Sequence, residues 1–286
     1  FCVILGGDYG FQKLAVLINE NGTLNLGFQT AQYLAIYQAT VADLNNDGLP
    51  DILYRHAVGN AVGNPHVYEL LLQSQGGTFA DSKFKFTDGD YGELGPFHIA
   101  DLNNDGFQDI CFTGTYYEPL RFFINKGGMT FTRHSPQLAA TPLVFLDVDG
   151  DGITDFVSNT LAGYMWYKGS VNFQYTEQQL LHLSYNTTNP TIKMVDYNLD
   201  GLPDFVISDG YRSSVATNLG GAVFEPGTVE LDEHWGSSFA LTDMENDGDI
   251  DIVKLGNDDR HQGYNYFYLN QAKKFGAVNA RPAVPT

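Results

Sequence analysis

The chain has 286 residues, 43% of them hydrophobic, which is enough to bury a large core without disulfides or metals as its sole staple. Its 34 acidic residues against 15 basic ones give a formal charge of −19, and no Lys/Arg run exists to neutralise phosphates, which argues against nucleic acid as a partner. No stretch of about 20 consecutive apolar residues occurs, so no segment of this sequence spans a membrane as a helix.

The elements follow one another as short apolar runs bounded by turn residues, the pattern of strands. Phe1 to Leu5 and Leu14 to Ile18 come first, then a turn at Asn21-Gly22-Thr23-Leu24. Tyr37 to Ala42 leads into an acidic nonapeptide, DLNNDGLPD at 43–51, and Ile52-Leu53-Tyr54 leads out of it. A third strand, Val67 to Leu72, runs into Gly76-Gly77-Thr78-Phe79. The same order returns with Phe97 to Ala100, DLNNDGFQD at 101–109, Ile110-Cys111-Phe112, Leu120 to Ile124 and Gly127-Gly128-Met129-Thr130-Phe131. It returns again with Leu143 to Leu146 before DVDGDGITD at 147–155. A fourth copy has Ile192 to Val195, DYNLDGLPD at 196–204, Phe205-Val206-Ile207, Ser214 to Thr217 and Gly220-Gly221-Ala222-Val223-Phe224. The fifth has Phe239 to Leu241, DMENDGDID at 243–251, Tyr266 to Leu269 and Lys274-Phe275. The nonapeptides start at 43, 101, 147, 196 and 243, so the spacings are 58, 46, 49 and 47, the mark of a repeat fold.

In every nonapeptide, oxygen-bearing side chains fall at positions 1, 3, 5 and 9, with Gly at 6. One turn of this spelling can wrap a hard cation, because Ca²⁺ takes six to eight oxygens from carboxylates, amides and backbone carbonyls. The expected ligands are Asp43, Asn45, Asp47 and Asp51; Asp101, Asn103, Asp105 and Asp109; Asp147, Asp149, Asp151 and Asp155; Asp196, Asn198, Asp200 and Asp204; and Asp243, Glu245, Asp247 and Asp251. The position-7 carbonyls of Leu49, Phe107, Ile153, Leu202 and Asp249 complete the expected sets, giving up to five structural Ca²⁺. Glu245 is the odd member, since its extra methylene forces a rearranged or water-bridged contact. An EF-hand is excluded, because position 12 is Tyr54, Phe112, Ser158, Ile207 or Lys254 instead of Glu. Eighteen of the 34 acidic residues lie in these five turns, so about half of the acidity has a local task.

Four short strands per unit of about 40–50 residues is the requirement of a β-propeller blade. On these turns and strands the chain resembles the FG-GAP/VCBS repeat family, the propeller type of integrin α-chain heads and of several lectins and secreted proteins. The FG and GAP words are eroded, with Trp235-Gly236 and Leu255-Gly256 as their nearest remnants. The resemblance implies an all-β, single-domain propeller over 1–286, with the calcium turn between the first two strands of each blade. Six blades of four antiparallel strands are expected, seven if the parent chain is longer, at about 1–34, 35–90, 91–138, 139–187, 188–234 and 235–276, with a tail at 277–286. The N-terminal unit lacks a first strand and turn, and the tail carries Pro282 and Pro285, so the ring is expected to close imperfectly. Its open edge is the expected site of assembly. A chain opening inside a blade reads as a piece of a secreted or membrane-anchored protein.

Cys2 and Cys111 fall in different units and read as small buried hydrophobes rather than a bridge. Calcium turns suit compartments where calcium is millimolar. The sequons at Asn21 and Asn186 point the same way, so the expected location is extracellular or in the secretory lumen.

No GxSxG elbow, HExxH, Walker loop or Rossmann fingerprint is present, and the seven His residues share no spacing of a zinc site. The expectation is therefore a binding module without catalytic residues, acting on another protein or, alternatively, on a glycan; a calcium-dependent polysaccharide lyase is the remote third reading. Aromatics cluster at Tyr116-Tyr117, at Tyr164 to Tyr167 and at Tyr264 to Tyr268, where they either pack blades or offer stacking faces to sugars.

Overall fold

The computed structural model describes residues 2–6, 13–31, 34–57, 66–86, 94–113, 119–136, 138, 140–160, 163–181, 191–208, 213–231, 235–257 and 263–272. They are all-β, and none of their helical segments is long and apolar enough to cross a membrane. Two compact units arise, Phe1–Ala140 and Thr141–Thr286, divided close to the expected blade boundary at 138/139.

The first unit opens with a three-stranded sheet, β1 (Cys2–Gly6), β2 (Lys13–Glu20) and β3 (Thr23–Gln29). A four-stranded blade follows, β4 (Ile36–Ala42), β5 (Asp51–Ala57), β6 (His66–Gln73) and β7 (Phe79–Lys85). The second blade is β8 (Phe97–Ala100), β9 (Asp109–Phe112), β10 (Arg121–Asn125) and β11 (Phe131–His134). The second unit holds β12 (Pro142–Leu146), β13 (Asp155–Thr160), β14 (Gly163–Lys168) and β15 (Thr176–Leu181) as blade three. Blade four is β16 (Thr191–Val195), β17 (Asp204–Ser208), β18 (Ser213–Asn218) and β19 (Phe224–Leu231). Blade five is β20 (Trp235–Thr242), β21 (Asp251–Asn257) and β22 (Gly263–Tyr268). Within each sheet the strands are antiparallel and adjacent in chain order, the simple meander that short turns impose.

The expected count of six or seven four-stranded blades is corrected by this topology. The acidic hairpin that defines the repeat is built five times, so there are five blades, four of them four-stranded among the described residues. The N-terminal sheet, β1-β2-β3, has three strands and no acidic hairpin among the described residues. The tail 277–286 lies outside the described residues, as do Asn186, Tyr116 and Tyr117.

Within each unit the core lies between successive sheets, which explains why the second strand of each blade is apolar on both faces. Successive side chains of a strand point to opposite sides. On β5, Ile52 and Tyr54 pack towards Leu14 and Val16 of β2, while Leu53 between them packs towards Phe97, Ile110 and Phe112 of blade two. On β17, Phe205 and Ile207 join Val157, Tyr164 and Trp166 of blade three, and Val206 joins Phe239, Ile252 and Tyr268 of blade five. Strands buried on both faces read as continuous apolar runs, and that is what Ile52-Leu53-Tyr54 and Phe205-Val206-Ile207 are.

Candidate metal centres

The register of the five inner hairpins is identical where it matters. Ala42 pairs with Asp51, Ala100 with Asp109, Leu146 with Asp155, Val195 with Asp204 and Thr242 with Asp251. Position 9 is thus the first residue of the second strand, and positions 1 to 8 form the turn.

Inside each turn the carboxylates fold the backbone around themselves. The position-1 Asp accepts the N–H of position 5 on one oxygen, at 3.1, 3.1, 3.1, 3.0 and 3.1 Å in turns one to five. Its other oxygen accepts the N–H of the position-6 Gly, at 2.8, 2.8, 2.8, 3.0 and 2.9 Å. The position-5 Asp accepts the N–H of position 7, between 2.8 and 3.3 Å. The position-3 oxygen of Asn45, Asn103 and Asn198 accepts the position-5 N–H at 3.0 Å, and that of Asp149 does so at 3.3 Å. These bonds draw positions 1, 3 and 5 to one side of a tight coil, as Asx turns do.

The coil needs two left-handed residues. Gly at position 6 has φ of +83° to +93° in all five turns. At Gly48, Gly106 and Gly201 an added Cβ would meet nothing within 4 Å, so conformation and not space demands glycine there. Position 4 is left-handed as well: Asn46, Asn104 and Asn246 at φ 54° to 61°, Gly150 at 77°, and Leu199 at 60°. Asn enters this region at little cost, whereas Leu199 is strained there.

Position 9 behaves differently. Asp51, Asp109, Asp155, Asp204 and Asp251 are fully buried. One oxygen of each accepts the N–H of position 2, from Leu44, Leu102, Val148, Tyr197 and Met244, at 2.8–3.1 Å. The other accepts a backbone N–H at the end of the third strand, from Gln73, Asn125, Gly169, Asn218 and Asn270, at 2.7–3.0 Å. Each therefore staples the turn to the third strand. Burial pushes Asp109 up to about 6, against the opposing pull of its two amides, and raises Asp51, Asp155 and Asp204 in the same direction. A fixed positive charge nearby would relieve that burial cost.

Three further residues were invisible as site residues in the sequence. The side chains of Asn125, Asn218 and Asn270 each accept the N–H two residues on, from Gly127, Gly220 and Ala272, capping the next turn. Asn125 Nδ2 also donates to Leu44 O of blade one at 2.8 Å, and Asn270 Nδ2 to Tyr197 O of blade four at 2.6 Å. The signal that finds them is an Asn recurring directly after the third strand's apolar run.

Among the described residues, one trio of carboxylates brings its oxygens within 4.8 Å of one another: Asp147, Asp149 and Asp151 of turn three. Turns one, two and four carry Asn at position 3, and in turn five Glu245 does not complete such a group with Asp243 and Asp247. In turn three the Lys168 ammonium bonds Asp149 Oδ2 and, at 2.5 Å, Asp151 Oδ2. The two carboxylates raise Lys168, and the ammonium lowers Asp151. A cation is already seated against these oxygens, and the donors are all oxygen, so the residues fit a hard divalent ion. Such an ion would be held by positions 1, 3 and 5, with the position-7 carbonyl, and would supply charge neutralisation and a rigid cross-brace.

The remaining candidates fall into the core. Tyr164, Trp166 and Tyr167 are buried, with Tyr167 stacked on Phe156 at 4.5 Å, so this cluster packs the blade. Tyr268 is buried and Phe267 exposed, as alternation along β22 requires. Cys111 is a buried free thiol in β9. Asn21 is exposed in the β2–β3 turn.

These features define an all-β protein of the β-propeller type, with antiparallel four-stranded blades and an acidic turn inside each repeat. A family profile described as FG-GAP-like repeat matches residues 101–158 and 196–254. Each match begins at position 1 of one acidic turn and ends just beyond the next, so these two stretches carry FG-GAP-like repeats. Among solved structures, the chain is similar to an Agrocybe aegerita lectin described as recognising non-reducing terminal N-acetylglucosamine, at 18% identity and a TM-score of 0.60, over 86% of this chain and 65% of that one. It is also similar to part of a Photorhabdus luminescens Tc holotoxin pore, at 17% identity and a TM-score of 0.51, over 92% of this chain and 13% of that one. A search of curated proteins finds no matching relative.

Proposed function

We propose that this FG-GAP propeller is a calcium-stabilised interaction module of an extracellular or secretory-lumen protein, and that it binds a partner protein instead of catalysing a reaction. The observation that carries the calcium reading is the fivefold repetition of one Asx-turn geometry, with an ammonium seated on the carboxylates of turn three. Ca²⁺ suits such a turn better than Mg²⁺, which demands near-ideal octahedral geometry and sheds its water reluctantly. Titration calorimetry with Ca²⁺ and Mg²⁺ tests it. The expected result is binding at several turns with Ca²⁺ preferred; fewer than three sites at millimolar calcium would refute it.

Glycan binding is the second reading, supported by the likeness to the Agrocybe aegerita lectin. Fold does not choose between the two, because function on a shared architecture lives in particular sites. A glycan array separates them: a reproducible terminal-sugar preference favours the lectin reading, and a blank array favours a protein partner.

A further inference from the structure

Turn three solves an electrostatic problem that turns one, two and four do not have. In turns one, two and four the position-3 amide of Asn45, Asn103 and Asn198 donates to the outer oxygen of the position-5 Asp, at 3.0, 2.9 and 2.9 Å. Asp149 has no proton to donate and instead sets a fourth carboxylate beside Asp151. The missing donor comes from Lys168, the last residue of β14, which bonds both carboxylates. With it, turn three carries four carboxylates and one ammonium, a net charge of −3, the same as the three carboxylates of turns one, two and four. The corresponding places on the other third strands hold Leu72, Ile124, Thr217 and Leu269, none of them cationic. Lys126 of turn two follows its strand and stands 3.9 Å from Asp105, at the limit of an ion pair.

We propose that Lys168 is a resident counter-ion of turn three, which an incoming divalent cation must displace, so that turn three fills with lower affinity than turns one, two and four. The inference rests on the calcium reading above. The apparent affinity of a site falls by the fraction of time it is competent to bind. If the pair is closed about ten times as often as open, apparent affinity falls about tenfold. The displaced ammonium has a place to go, because Nζ lies 5.7 Å from the Trp166 ring centroid and the side chain is 32% exposed. Among the described residues no ammonium is seated on turns one and four, and in turn two Lys126 stands off at 3.9 Å.

The same strand supplies a reporter. The Trp166 indole N–H donates to Asp155 Oδ2 at 2.9 Å, which ties this ring to turn three. The other tryptophan, Trp235, begins β20, and Thr242 at that strand's opposite end leads into turn five. Terbium luminescence excited through tryptophan therefore reads turn three, while calorimetry with Ca²⁺ reads all turns together. In the wild-type chain the tryptophan-sensitised phase is expected to saturate about tenfold later than the tightest calorimetric sites. Lys168→Met, which keeps the apolar stem, should tighten that phase about tenfold, and Lys168→Gln should move it the same way if the Met variant folds poorly. Lys168→Met combined with Asp149→Asn rewrites the turn in the spelling of turns one, two and four and should bind as they do. Calcium binding elsewhere, with a turn-three phase that neither Lys168 variant moves, overturns the counter-ion role and leaves the calcium reading standing. No cation binding at any turn in any of the proteins overturns both.

Discussion

Removal of the Asp109 carboxylate tests the division of labour within the acidic turn. Asp109 is fully buried and accepts N–H groups from Leu102 at 2.9 Å and Asn125 at 2.7 Å. Hydrogen bonds to a charged group contribute about 1.5–3 kcal/mol each, and a buried donor left without an acceptor costs about 1–3 kcal/mol. Asp109→Ala strands two such donors, so a loss of about 3–5 kcal/mol is expected even with calcium chelated. At about 2–3 °C per kcal/mol for a chain of this size, the midpoint should fall by roughly 6–15 °C. Asp105, four residues earlier, is exposed and bonds the N–H of Phe107, which water can serve instead. Asp105→Ala under chelation should therefore cost no more than about 0.5 kcal/mol. Thermal unfolding of both variants in EGTA, read by circular dichroism, is the assay. An Asp109→Ala midpoint within about 1 °C of wild type, or an Asp105→Ala loss as large as that of Asp109→Ala, would falsify the staple.

Other consequences follow from the same geometry. Calcium at a hundredfold excess over Kd stabilises by about 2.7 kcal/mol per independent turn, so EGTA should lower the melting temperature; an unchanged midpoint would show that the turns bind nothing that matters to folding. Leu199 pays for a left-handed backbone at φ 60°, and Leu199→Asn, the residue of three sister turns, should stabilise by about 1 kcal/mol in a chemical melt. Asn125→Ala removes the bond to Leu44 O and the cap on Gly127, and a loss of about 1–3 kcal/mol is expected from denaturant titration. Burial raises Tyr54, Tyr167 and Tyr197, Tyr167 to about 12. The folded chain holds these protons past the ordinary tyrosine value near 10, so their contribution is intact below about pH 10 and is lost as pH rises through about 12. In a tyrosinate absorbance titration these three should ionise only as the protein unfolds, and a single step near 10 for all 17 tyrosines of a still-folded chain would contradict it.

Much of the fold was legible because the acidic turns punctuate it. A turn spelled DxNxDGxxD must be flanked by the two strands it joins, and β4, β5, β8, β9, β16 and β17 fall where their apolar runs stand. Blade number was not legible, because the N-terminal run of β1 to β3 resembles three strands of a blade while lacking the hairpin that makes one. The roles within the turn were half legible. Positions 1, 3 and 5 show their chemistry as an alternation of oxygen-bearing residues. Position 9 reads as one more ligand, and what the sequence does not show is that its strand register buries it and gives each oxygen a backbone amide, one of them 14 to 22 residues further along the chain. Sequence spacing cannot announce that partner, since it depends on which third-strand amide the sheet leaves facing inward. Lys168 was hidden for the same reason, being 17 residues from Asp151 and neighbours with it only once β14 is laid beside β13.

The turn therefore has two halves with different dependence on a metal. The inner half, position 9 with its two amides, is complete from this chain's own atoms and holds the hairpin to the third strand. The outer half, positions 1, 3 and 5, gathers carboxylates at the surface, where their mutual repulsion is offset by Asn amides in turns one, two and four and by Lys168 in turn three. A divalent ion bound as proposed would act first on that outer half. Its neutralising charge also reaches inward, because the ionised form of Asp109 is opposed by burial and by the charges of Asp105 and Asp101. Loss of the ion should thus loosen the turns while the sheets persist, and a metal-free blade should keep its strand register with its acidic coil mobile. Amide exchange resolves the two halves. The N–H groups of Leu102 and Asn125, held by the buried carboxylate, should stay protected in EGTA, while those of the exposed Asp105 and Gly106, held by half-buried Asp101, should exchange fast. Equal loss of protection in both sets would mean that the blade itself, and not only its turn, is built around the ion.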